Sequence, residues 1–199
     1  DDYAAAEAAL KQAFAVASPG TGPHLVQAQL DFGMHRLAAA ERQLAAIDGY
    51  AIPSGPEERA EITAMRGDIA FYRGDPNGAL RLYDEADRLA PGSATFRRAI
   101  HAANTGKVDR ARAYFAQTES EARLPPPQLR AYLELQRGIL DLDHDRLDQA
   151  MAHFRRADGI FPGHWLIEEH MAEVLTLQGN LTEAERRYRD IIRRTGHPE

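Results

Sequence analysis

The sequence predicts an all-α fold built from repeated antiparallel helix pairs, on three observations. Alanine anchors recur at Ala6, Ala40, Ala79, Ala111, Ala150 and Ala184, separated by 34, 39, 32, 39 and 34 residues. Twelve residues before each anchor, where the chain extends that far, stands a small residue: Ala28, Gly67, Ala99, Gly138 and Ala172. Four residues after each anchor stands a large apolar one: Leu10, Leu44, Tyr83, Phe115, Phe154 and Tyr188. Small residues let two helix backbones approach closely. A large side chain one turn beyond the anchor fills the space beside the crossing. A period of this length marks stacked two-helix units.

Taken in order, residues 1–19 supply only the second helix of a partial unit. Full units follow at 21–54, 57–91, 92–124, 127–162 and 163–199, so the whole chain, 1–199, reads as one solenoid of about eleven helices. Five residues before each anchor a tight turn joins the two helices of a unit. Gly74, Gly106 and Gly179 hold that slot in three units, and His35 and Asp145 hold it in the other two. Glycine suits a helix C-terminus because positive φ costs it nothing. Pro91 and Pro162 stop the second helix of their units. The two longer spacings place extra residues in the proline-rich stretches 49–58 and 122–128, as longer loops or lengthened helices. Neither terminal helix shows an obvious polar cap, and the stronger reading is that both ends are cuts in a longer protein.

The best-formed units are "GDIAFYRGDPNGALRLYDEADRLAP" (67–91), "GILDLDHDRLDQAMAHFRRADGIFP" (138–162) and "AEVLTLQGNLTEAERRYRDII" (172–192). They resemble the tetratricopeptide repeat, and the resemblance extends over nearly the whole chain, about five and a half repeats. It implies a right-handed superhelical solenoid whose first helices line a concave groove. By the family's pattern the groove positions are Leu25, Gln29 and Phe32, then Ala64, Asp68, Phe71 and Tyr72, then Phe96, Ile100 and Asn104. They continue with Tyr132, Leu135, Ile139 and Asp143, and end with Leu166, Glu169, Glu173 and Leu177. Some family members clamp acidic chaperone tails with groove-facing cations and asparagine. The clamp slots here hold Ala64, Asp68 and Tyr72, then Phe96, Ile100 and Asn104. Only Asn104 matches, so an apolar or partly basic partner segment is expected, anchored by Phe71, Tyr72, Phe96 and Tyr132.

Composition narrows the function classes. The net charge is −6, against the basic excess of nucleic-acid binders. No apolar run approaches the ~18 residues that cross a membrane. Cysteine is absent, which excludes disulfides, thiolate zinc ligands and thiol catalysis and suits either a bacterial cytoplasm or periplasm. "DLDHDRLD" (141–148) alternates aspartates like a calcium loop, but Arg146 stands where that loop requires glycine and Ala152 where it requires glutamate. It reads as a turn and helix cap. The eight histidines show no pair at the i, i+4 spacing that puts two imidazoles on one helix face; His144, His153 and His170 could form a composite metal site only from different helices, and the favoured reading is scattered surface residues. Arg186, Arg187, Arg189, Arg193 and Arg194 could meet an acidic partner, but the favoured reading is cations that suit the helix C-terminal dipole, interleaved with Glu183, Glu185 and Asp190. No nucleophile elbow or phosphate loop is present, so no catalytic, cofactor or metal residue is expected. The expected function is a non-enzymatic scaffold that binds a protein or peptide in its groove, in bacterial assembly, secretion or envelope biogenesis. The alternative is the peptide- or ligand-sensing domain of a transcriptional or signalling regulator.

Overall fold

The computed structural model describes residues 3–16, 20–50, 55–121 and 126–195. Among them are eleven helices and no strand. They are α1 (Tyr3–Val16), α2 (Thr21–Gly33), α3 (Leu37–Ile47), α4 (Pro56–Tyr72), α5 (Pro76–Leu89) and α6 (Thr95–Asn104). Then come α7 (Val108–Glu121), α8 (Pro127–Leu142), α9 (Leu147–Ile160), α10 (Trp165–Leu177) and α11 (Leu181–Thr195). Contacts divide the chain into two units, Asp1–His101 and Ala102–Glu199.

The same turn ends the first helix of every pair. His35, Gly74, Gly106, Asp145 and Gly179 all have positive φ, between 55° and 85°. The residue after each one donates its N–H five residues back: Arg36 to Asp31, Asp75 to Ala70, Lys107 to Ala102, Arg146 to Asp141 and Asn180 to Leu175, at 2.8–2.9 Å. The positive-φ residue itself donates three residues back, as His35 does to Phe32 at 2.9 Å. This is the Schellman closure, which satisfies the last carbonyls of a helix and reverses the chain within three or four residues. Asp75 then caps α5, its side chain accepting from the Gly78 N–H at 2.7 Å. Asp145 does not do the same for α9. It occupies the left-handed turn itself, and the cap residue is Arg146, with no side-chain capping bond.

In the first unit, Ala28, Ala40, Leu44, Ile47, Ile62, Met65 and Ile69 form one buried cluster. Ala60, Ala64, Ala79, Tyr83, Ala86 and Ala94 form the next. In the second unit α8, α9 and α10 share a core of Ala131, Leu135, Leu142, Ala150, Met151, Phe154, Ala157, Ile167, Met171 and Val174. The small-residue slots earn their place by geometry. A Cβ added to Gly67 would stand 2.5 Å from Tyr83 Cε1, and one on Gly138 would stand 2.3 Å from Phe154 Cε1. Both are far inside carbon–carbon contact distance. The long spacings are taken up in part by lengthened first helices. α4 has 17 residues and α8 has 16, against 13 in α2 and α10, and both long helices begin at a proline. The rest of those stretches, 51–54 and 122–125, lies outside the described residues.

Candidate functional site

On the first unit, α2 and α4 place Phe32, Phe71 and Tyr72 together. The Tyr72 ring meets Phe32 edge-on at 5.3 Å and Phe71 edge-on at 6.0 Å, and His35 stands against it at 6.1 Å. Phe71 then meets His101 at 5.1 Å, and His101 meets Tyr83 at 6.4 Å. Phe32 and Phe71 rest their inner faces on the two cores. Tyr72 is 55% exposed and stands proud of them. Aromatic edges and faces arranged in this way form a rigid apolar surface with one polar handle, the Tyr72 hydroxyl.

Asp68, one turn before Tyr72, is not an open carboxylate. Arg97 Nε donates to it at 2.7 Å and the Tyr83 hydroxyl donates to it at 2.8 Å. Arg97 also donates to both oxygens of Glu61, at 3.0 and 2.7 Å. Burial raises the Asp68 carboxyl above its ordinary range against the pull of Arg97. Burial and the neighbouring Asp68 push the Tyr83 hydroxyl up, so it stays a donor. Burial disfavours the Arg97 charge, but Asp68 and Glu61 more than offset it. The network thus locks α4, α5 and α6 with its charges paired internally. Ala64, assigned to the groove by register, is instead wholly buried in the α4/α5 core. Leu25 packs on the neighbouring core, and Gln29 is exposed. On α6, Phe96 and Ile100 are half-buried and Asn104 is exposed.

On the second unit, α8 presents Tyr132, 43% exposed, and Asp143 is exposed just past its end. Ile139 is half-buried against the core. Leu135 is corrected by the structure. It is 2% exposed, beneath α10, and lines no open surface. The family's pattern placed it in the groove, but α8 turns that side into the core it shares with α9 and α10. Behind Tyr132 runs a polar chain that sequence inspection missed. Arg156 Nε and Arg137 Nη1 donate to Glu134 at 2.7 and 2.9 Å. His153 stands between Glu134, at 2.9 Å, and Asp141, at 3.6 Å. Arg112 donates to Asp141 at 2.6 Å. Burial favours the neutral Glu134 carboxyl, but His153, Arg156 and Arg137 outweigh it and hold it at about 2. Glu134, Arg137 and Asp141 recur at i, i+3 and i+7 on α8, and that polar stripe inside an apolar helix was the available signal.

The other singled-out residues have ordinary structural partners. The His144 ring lies 2.8 Å from the Leu140 carbonyl, and His170 stacks on Phe154 at 5.4 Å. Arg186 pairs with Glu183 at 2.6 Å, Arg189 with Glu185 at 2.6 Å, Arg193 with Asp190 and Arg194 with Glu168. Among the described residues no helix is long and apolar enough to cross a membrane.

No family model and no curated protein matches the chain. Solved structures do. PilF of Pseudomonas aeruginosa superposes with a TM-score of 0.66 at 15% identity, over 90% of this chain and 78% of that one. PilW, described as a widely conserved type IV pilus biogenesis factor, gives 0.64 at 17% identity, over 100% and 88%. Residues 41 to the end of MamA from Desulfovibrio magneticus RS-1 give 0.56 at 14% identity, over 87% and 93%. At such identities the likeness is one of fold, and that fold is a helical solenoid of the tetratricopeptide-repeat type.

Proposed function

We propose that this chain is a non-enzymatic scaffold that binds a protein segment on the exposed faces of its first helices, in a bacterial assembly, secretion or envelope process. One observation carries the reading: the Phe32–Tyr72–Phe71 row, aromatic, rigid and open to solvent at Tyr72. Exposed apolar surface of this kind on a folded protein marks an interaction site. Likeness of fold to PilW, described as a type IV pilus biogenesis factor, supports the assembly context. Phe96 and Ile100 are the further contact residues of the first unit, and Asn104, Tyr132 and Ile139 those of the second, each set taken by itself.

The partner segment is apolar or partly basic. Arg97, which bridges to the aromatic row's helix, is paired with Asp68 and Glu61, and Arg73 pairs with Glu41 at 2.8 Å. Capture of an acidic tail needs cations that can turn to a terminal carboxylate. Peptide selection from a displayed random library against the immobilised protein tests the reading. Enriched peptides carry aromatic or aliphatic anchors and no net negative charge. Tyr72→Ala weakens their binding by about 1–2 kcal/mol, as does Phe71→Ala, with helix content unchanged. Tyr72 is the cleaner site, because Phe71 also packs on the core. Salt-sensitive micromolar binding of an acidic tail peptide, or affinities indifferent to both variants, would overturn the proposal.

A further inference from the structure

Two carboxylates on α4 share one guanidinium. Arg97 donates Nε to Asp68 at 2.7 Å and its two other nitrogens to Glu61, at 3.0 and 2.7 Å. Among the described residues no other ion pair of Glu61 or Asp68 is found. Asp68 accepts at both oxygens, one from Arg97 and one from the Tyr83 hydroxyl, which is the role of an ionised carboxylate. The network therefore closes with two negative charges on one positive. Glu61 is the outer acid, its side chain 33% exposed against 17% for Asp68.

This surplus charge lies in line with the aromatic row. Glu61, Asp68 and Tyr72 stand at i, i+7 and i+11 on α4, within about 40° of one another around the helix. Between Glu61 and Asp68, Ile62, Thr63, Ala64, Met65 and Gly67 are buried, and Arg66 turns away to Leu44 and Asp48. Over that length α4 is open along a line one side chain wide. α2 meets α4 through Phe32 and α6 meets it through Arg97, so the helices beside this line belong to the chain itself. A helix is about 10–12 Å across and finds no seat on such a line. An extended segment, whose alternate side chains point one way, does.

We propose that the partner segment on the aromatic row is extended and carries a lysine or arginine that pairs with Glu61, four or six residues from the apolar side chain seated against Tyr72. The spacing follows from the helix. From Glu61 to Tyr72 α4 rises about 16 Å, and the same-face spacings of an extended chain that bracket this are four and six residues, about 13 and 20 Å. A carboxylate of the partner at that place would meet Glu61 and Asp68 together, so charge complementarity sets the register. The inference rests on the row being a docking surface and adds the conformation, charge and register of what docks there.

A displayed library of random sixteen-residue peptides, selected in parallel against the parent, Glu61→Lys and Tyr72→Ala, tests it. Peptides taken by the parent carry an aromatic or aliphatic anchor with a cation four or six residues away. Glu61→Lys keeps the anchor and exchanges that cation for an acid, while Tyr72→Ala loses the anchor. For the most enriched parent peptide, replacing the cation by glutamine weakens binding about three- to tenfold. Glu61→Gln, with helix content unchanged, weakens it as much, and the two changes together cost no more than either alone. Anchors that depend on Tyr72 with no preferred cation, a cation eleven residues away in the register of a helix, or losses that simply add would overturn this inference and leave the docking surface standing. No enrichment on the parent, or anchors indifferent to Tyr72→Ala, would overturn both.

Discussion

Gly138 lies directly beneath the Phe154 ring, which is 0% exposed and has nowhere to retreat. Gly138→Ala therefore destabilises the chain by about 1–3 kcal/mol in urea unfolding, as overpacking does. Pairing it with Phe154→Leu makes the losses less than additive, because the first unit already matches Ala28 with Leu44. Simple additivity would show that the two sites do not share the crossing. The turn residues give a second comparison. Asp145 and Gly179 hold equivalent left-handed positions, at φ 55° and 79°. Asp145→Gly relieves a β-carbon clash and stabilises by up to about 1 kcal/mol, while Gly179→Ala destabilises by about 1 kcal/mol or more. Shifts of the same sign in both melts would contradict the shared turn.

At the scale of the element, α8 is tied to α9 by Glu134, which accepts from Arg156 and stands against His153. Its folded-state carboxyl titrates at about 2, below the ~4.3 of an unfolded glutamate. A depressed acid contributes stability that is whole above the unfolded value and is lost as pH falls through the folded one. The loss therefore falls between about pH 4.3 and 2. Glu134→Gln lowers stability at neutral pH and flattens the acid limb of a stability–pH curve over that window. An acid limb as steep as the parent's would show that other carboxylates carry it. On α4, Asp68 shows how a helix face is decided by its neighbours. Its position one turn from Tyr72 suggests a surface carboxylate, yet Arg97, 29 residues later, draws it into an internal network.

For the whole molecule, the net charge of −6 favours encounter with cationic segments. The association rate of a basic peptide selected on the aromatic row falls as ionic strength rises, and its dissociation rate changes little, since apolar contacts hold the bound segment. Stopped-flow mixing with a fluorophore-labelled peptide separates the two rates. An association rate flat in salt would remove electrostatic steering from the account.

The sequence by itself determined the helix pairs, their turns and their crossings. Those features rest on local chemistry at fixed spacing: a small residue where backbones meet, a ring or leucine one turn beyond the anchor, and a residue in the left-handed region where the chain reverses. His35 and Asp145 were legible only through that register, because neither is a glycine. Tertiary structure decided which side of each first helix remains open. Successive residues are turned by about 100° around a helix, so a small error of register carries a side chain from groove to core. Ala64 and Leu135 moved in that way. It also decided which charges are neutralised. Arg97 and Arg112, which donate to Asp68 and Asp141, each lie 29 residues away, on other helices.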